Sequence, residues 1–161
     1  MPPHRKTIGV ITACDQTIEW MLPWWYLHYS QYNNYPITFF DLGLSEKMHK
    51  WCAERGKVTT LTTTCPITPQ MRLSEKVCST WEKVYPNPWK ARYFWHQKPY
   101  ILDQSPFQKT LWLDIDCEIK KNLDTLFALP TSFAIAKEKP DAVEKAIHLG
   151  MIEKDQPLYN Q

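Results

Sequence analysis

The stretch Thr110-Leu111-Trp112-Leu113-Asp114-Ile115-Asp116-Cys117-Glu118-Ile119 opens as an apolar run of strand length and closes on acids. Such a run suits a strand buried on both faces, as in a parallel sheet. Side chains alternate along a strand, so Asp114 and Asp116 are expected on one side and Ile115 on the other. Two carboxylates on one face at the end of a buried strand are costly unless a positive charge compensates them. A divalent cation meets that need, because Mg²⁺ or Mn²⁺ takes hard oxygen ligands and leaves room for phosphate oxygens. The same tripeptide could also simply cap the next turn.

Upstream, residues 7–13 form a second β-rich run, closed by the polar corner Cys14-Asp15-Gln16-Thr17. From Ile18 the period becomes helical. Ile18, Met21, Leu22, Trp25, Tyr29 and Tyr32 fall on one stripe, and Trp20, Trp24 and Leu27 on a second. Apolar residues on both sides predict a largely buried helix, starting near Trp20 so that Pro23 sits in its first turn. The Trp20, Trp24 and Trp25 cluster reads as core, with an acceptor platform as the alternative.

Residues 37–42 read as a second strand. Ser45 can cap a helix with Met48, Trp51 and Cys52 on one face and Gly56 as its stop. Residues 58–62 make a third strand, 65–69 a loop and 74–84 a helix. After a break at 85–88, residues 89–102 read as a helix interrupted by Pro99. Its apolar face carries Phe94, Trp95, Ile101 and Leu102, with Lys98 among them. A lysine there must either snorkel to solvent or meet an anion. Beyond the acids, 122–127 suggests a capped helical turn, 133–136 a short strand and 142–149 a short helix. Strands alternating with helices predict an α/β fold, a mostly parallel sheet flanked by helices. Ligands of such sheets gather at the carboxyl ends of strands, where Asp15 and the Asp114/Asp116 pair both fall.

Composition removes several classes of function. The formal charge is only +2, so no basic footprint argues for nucleic acid. Five cysteines, Cys14, Cys52, Cys65, Cys78 and Cys117, lack metal-ligand spacing and read as reduced intracellular thiols. The apolar run at 8–13 is too short for a secretion signal, and no run reaches transmembrane length, which suggests a soluble cytoplasmic chain. With four glycines, Gly9, Gly43, Gly56 and Gly150, neither a P-loop nor a dinucleotide-binding turn can be built. No Gly-x-Ser-x-Gly turn offers a nucleophile. His96, on an aromatic helix, reads as a packed or surface histidine and not as a base, and no catalytic group is evident.

The order Lys98-Pro99, Ser105-Pro106-Phe107, Leu111 to Asp116, then Asn122-Leu123-Asp124-Thr125-Leu126-Phe127 resembles the core of GT-A fold, nucleotide-sugar-dependent glycosyltransferases. Family 8, the glycogenin and bacterial lipopolysaccharide hexosyltransferase group, is the nearest in pattern. The resemblance implies a Rossmann-like GT-A fold, with 1–132 as the nucleotide-sugar-binding half and 133–161 as the start of an acceptor half. It implies transfer of a hexose from a UDP-sugar, assisted by Mn²⁺ or Mg²⁺, to a saccharide, lipid-linked or protein acceptor. Asp116 would be a metal ligand. Asp114 would lie near the ribose and donor sugar and share the metal. Lys98 would contact the donor, and Ala13 and Asp15 would hold the nucleobase and ribose, although Asp15 equally suits a turn or helix cap.

Two departures qualify the likeness. Ile18 stands where the family often has a tyrosine that stacks on uracil. Residues 157–161 look like the start of the family's Asn-x-Gly strand, and the later His-x-x-Gly-x-x-Lys motif is missing, which implies truncation in the acceptor half. Asp-x-Asp after an apolar strand also occurs in haloacid-dehalogenase-type phosphatases, with the first Asp as nucleophile. That family usually has Thr or Val where Glu118 stands. A non-catalytic nucleotide-sugar-binding module is the remaining alternative.

Overall fold

A computed structural model describes residues 6–66, 73–84, 87–136 and 140–150. They divide into two compact units. The first joins the residues up to Thr64 with Lys98–Pro130, and the second joins Cys65–Gln97 with the residues from Thr131 onward.

The first unit is built on four parallel strands, β1 (Lys6–Cys14), β2 (Ile37–Asp41), β3 (Lys57–Thr59) and β4 (Phe107–Trp112), in the order β3-β2-β1-β4. β1 pairs Val10 with Ile37 on one side and with Leu111 on the other, so β1 is interior, whereas β4, expected to be buried on both faces, is the end strand among the described residues and exposes Gln108 and Lys109. The expected α/β architecture with a parallel sheet is therefore present, and the sequence order places the topological switch between β1 and β4.

Alternation along the strands makes two cores. Val10, Cys14, Ile37 and Phe39 cluster with Leu22, Trp25 and Tyr29 of α1 (Leu22–Tyr32), with Cys52 of α2 (Glu46–Ala53), and with Ile115, Ile119, Leu123 and Phe127. Ile11, Phe40 and Phe107 meet Ile101 in a second cluster. Ser45 caps α2 as expected, its Oγ accepting from Met48 N at 3.2 Å.

Asp41 ends β2 and anchors the turn into α2. Its Oδ1 accepts from the amides of Gly43 at 2.8 Å and Leu44 at 2.7 Å, and its Oδ2 faces His49 Nδ1 at 2.8 Å. Burial pushes the Asp41 carboxyl up, but these donors outweigh it and hold the group below its ordinary value. A depressed carboxyl stabilises the fold above its unfolded pKa, and that stability is lost as pH falls through the folded value. Lowering the pH from about 6 to about 3 should thus shrink the urea midpoint more in wild type than in Asp41→Asn. Parallel loss in both proteins would show that Asp41 does not set the acid limb.

Several expectations are corrected. The helix after β1 is buried on one side only. A 3₁₀ turn at Glu19–Met21 leads into α1, whose buried residues are Leu22, Trp25 and Tyr29. Trp20 is 71% exposed and Trp24 and Leu27 are also exposed, because the sheet offers α1 one surface to pack on. Only Trp25 of the tryptophan cluster is core. The helix read as broken at Pro99 is the continuous α4 (Pro88–Asp103), which starts on Pro88 and runs through Pro99. A proline in mid-helix forgoes one amide bond without obliging the helix to end. Residues 133–136 are not assigned as a strand: Phe133 is 71% and Ile135 83% exposed, and no ladder among the described residues includes them.

The second unit contains α3 (Glu75–Val84), the part of α4 before Lys98, and α6 (Pro140–His148). Gln97 is its buried polar anchor, accepting from Cys65 N at 2.8 Å. Trp81 packs edge-on against Trp95, with the Arg92 guanidinium 5.3 Å from the Trp81 ring centre. All five cysteines are free. No helix among the described residues is long and apolar enough to cross a membrane. Residues 157–161, where the acceptor-half strand was expected, lie outside the described residues.

Candidate functional site

Asp114 and Asp116 lie just past the end of β4. Leu113 N still bonds Ile11 O at 3.1 Å, but Asp114 O then accepts from Cys117 N at 3.3 Å, so the acids occupy a turn and not the strand. Strand alternation therefore does not place them. Ile115 is 3% exposed in the core, while both acids are exposed.

The turn is fastened from below and from the side. Ile115, Ile119, Leu123 and Phe127 fill the core beneath it. Cys117 Sγ donates to Asp114 O at 2.7 Å, and burial pushes this thiol's pKa up. Asn33, buried after α1, accepts from Leu123 N at 2.8 Å through Oδ1 and donates to Lys121 O at 3.3 Å through Nδ2. Asn122 Oδ1 accepts from Asp124 N at 2.6 Å, ahead of the expected helical turn α5 (Asp124–Phe127), whose N-cap position is Leu123 and carries no side-chain cap. Asn33→Leu would bury the Leu123 amide without a partner. It is expected to cost about 2 kcal/mol in urea unfolding. A loss below about 0.5 kcal/mol would show that Asn33 is not the staple.

The acids differ in what they meet. Lys98 Nζ lies 2.7 Å from Asp114 Oδ1, and the Trp112 indole N–H donates to that same oxygen at 3.0 Å. The ammonium also stands 5.4 Å from the Trp112 ring centre. Asp116 makes no hydrogen bond or ion pair with another described residue. Lys98, on the helix face read from the sequence, does meet an anion, and that anion is the candidate aspartate. Trp112 was missed as a site residue. The period-two argument that paired Asp114 with Asp116 would also have paired Trp112 with Asp114.

Asp15 follows the adjacent strand β1, so it shares the carboxyl edge of the sheet with Asp114. It is buried, and its Oδ1 accepts from Thr17 N at 3.1 Å and from the Thr17 hydroxyl. These contacts are those of a turn cap. Ala13, half-buried, pairs with Phe40 on β2. Ile18 is 43% exposed, and the first exposed aromatic after the Asp15 corner is Trp20.

Among the described residues, no three His, Cys, Asp or Glu side chains gather as a metal cage. The donor set present is two hard carboxylates, one with an oxygen already engaged. That suits a cation held by one or two carboxylates plus substrate phosphates, the usual mode of Mg²⁺ with nucleotides, and not a preformed all-protein site. Compared with family models, with curated proteins and with solved structures, the chain matches none.

Proposed function

We propose that this chain is the nucleotide-sugar-binding part of a GT-A type glycosyltransferase, moving a hexose from a UDP-sugar to an acceptor with the help of Mn²⁺ or Mg²⁺. The observation that carries this reading is the Lys98, Trp112 and Asp114 triangle next to the unengaged Asp116. It puts both an ammonium and free carboxylate oxygens at the carboxyl edge of a parallel sheet, beside the switch between β1 and β4.

Asp116, with the second oxygen of Asp114, would hold the cation together with the donor's diphosphate. The cation supplies charge neutralisation for a departing diphosphate. Lys98 adds a second positive charge that can reach a phosphate or sugar oxygen. Trp112 orients the Asp114 carboxylate by holding one of its oxygens. Asp15 keeps the β1 corner folded through Thr17 and with Ala13 shapes the wall where a nucleoside would lie. With few glycines available for a phosphate-cradling loop, the diphosphate charge has to be met by side chains and a cation.

The test is calorimetric titration of UDP into the intact chain, with and without Mn²⁺, in wild type and Asp116→Ala. Mn²⁺ is expected to tighten UDP binding by about tenfold or more in wild type, a gain that Asp116→Ala abolishes without altering the circular dichroism. Binding that ignores both metal and mutation would sink the reading. Sugar transfer or donor hydrolysis by the chain would dispose of the alternative, a non-catalytic nucleotide-sugar-binding module.

A further inference from the structure

Lys98 stands sixteen positions before Asp114 in sequence, yet its ammonium is the nearest charged group to that carboxylate, 2.7 Å from Oδ1. The Trp112 N–H on the same oxygen keeps the carboxylate turned toward it. Both partners are partly open to solvent, with side chains 37% and 48% exposed. Ion pairs open to water are weak and change partners readily. The pair is therefore easily broken.

We infer that Lys98 is a stand-in cation for Asp114: it holds that carboxylate until a divalent cation and a diphosphate arrive together, and then passes to the phosphate. A divalent cation that takes the second oxygen of Asp114 alone meets the ammonium on the first oxygen, at a Coulombic cost. A diphosphate removes that cost, because it gives Lys98 a more highly charged partner and frees the carboxylate. Cation and diphosphate then favour each other's binding, and the coupling is the same whichever is added first. The inference deepens the nucleotide-sugar reading for what the diphosphate is. The competition between Lys98 and a cation at Asp114 does not depend on it.

Mn²⁺ binding to the intact chain is followed by electron paramagnetic resonance, alone and with UDP, in wild type, Lys98→Met, Lys98→Gln and Lys98→Arg. Lys98→Met and Lys98→Gln should bind Mn²⁺ alone about tenfold more tightly than wild type, yet bind UDP in the presence of Mn²⁺ less tightly. Lys98→Arg should return both affinities towards wild type. A side chain that merely supported the fold would weaken both. Unchanged Mn²⁺ affinity in the two neutral variants overturns the inference, even where UDP binding remains metal-dependent. A gain in Mn²⁺ affinity with no UDP binding in any protein upholds the competition and removes the nucleotide-sugar reading.

Discussion

Replacing Trp25 by alanine is expected to lower stability by about 3–5 kcal/mol, a large part of the roughly 5–15 kcal/mol typical of a small domain. Trp25 is fully buried, stacked on Tyr29 with ring centres 5.4 Å apart and edge-on to Phe39 at 6.3 Å. It belongs to the cluster that contains Ile115 and Ile119, the apolar residues on either side of Asp116. Removing it opens a cavity under the acidic turn as well as under α1. Trp24→Ala is the control one position away. Trp24 is 39% exposed and leans on His28, so its loss should cost no more than about 1 kcal/mol. Chemical denaturation of both variants measures the contrast, and equal costs would overturn the one-sided burial of α1. Where Trp25→Ala remains folded, the Mn²⁺-dependent UDP affinity we propose should fall too, and Trp25→Phe should recover part of both losses.

The fold was legible wherever local pattern and long-range partner agree. The run at 7–13, the 37–42 run and the Ser45-capped helix each carry their own signal, by alternation or by capping, and each forms within a residue or two of its expected bounds. The pattern misled where an apolar or β-rich segment has no surface to meet. Trp20, Trp24 and Leu27 make α1 look apolar on two sides, but only one side faces the sheet. Phe133 and Ile135 have strand propensity and no neighbouring strand to pair with among the described residues, and propensity alone does not make a ladder. At the site, the acids and Lys98 were visible in sequence because charges within apolar runs are conspicuous. Asn33 was not, since it reads as a helix stop. Its bond to Leu123, ninety positions later, exists only in three dimensions.

Gly9→Ala should cost about 3 kcal/mol, at the upper end of what overpacking usually exacts. Gly9 lies in the central strand, paired with Thr110 of β4. The ring of Phe107, itself 4% exposed, covers the space where a side chain would stand. A Cβ on Gly9 would lie well inside van der Waals contact with three atoms of that ring. The ring cannot swing away freely, because it is packed in the same cluster as Ile11, Phe40 and Ile101. An aromatic from one strand thus fills the gap left by a glycine on its neighbour, a device that also fixes which residues of the two strands lie side by side. The consequence reaches the site, since β1 leads to Asp15 and β4 leads to Asp114. A methyl wedged between ring and strand strains the pairing that sets those two ends next to each other. The decisive measurement is a double-mutant cycle with Phe107→Leu, itself expected to cost about 1–2 kcal/mol. The double variant should be more stable than the sum of the two losses predicts by at least about 1 kcal/mol, because the smaller side chain makes room for the methyl. Strict additivity would mean that the Phe107 ring is not what reserves this position for glycine.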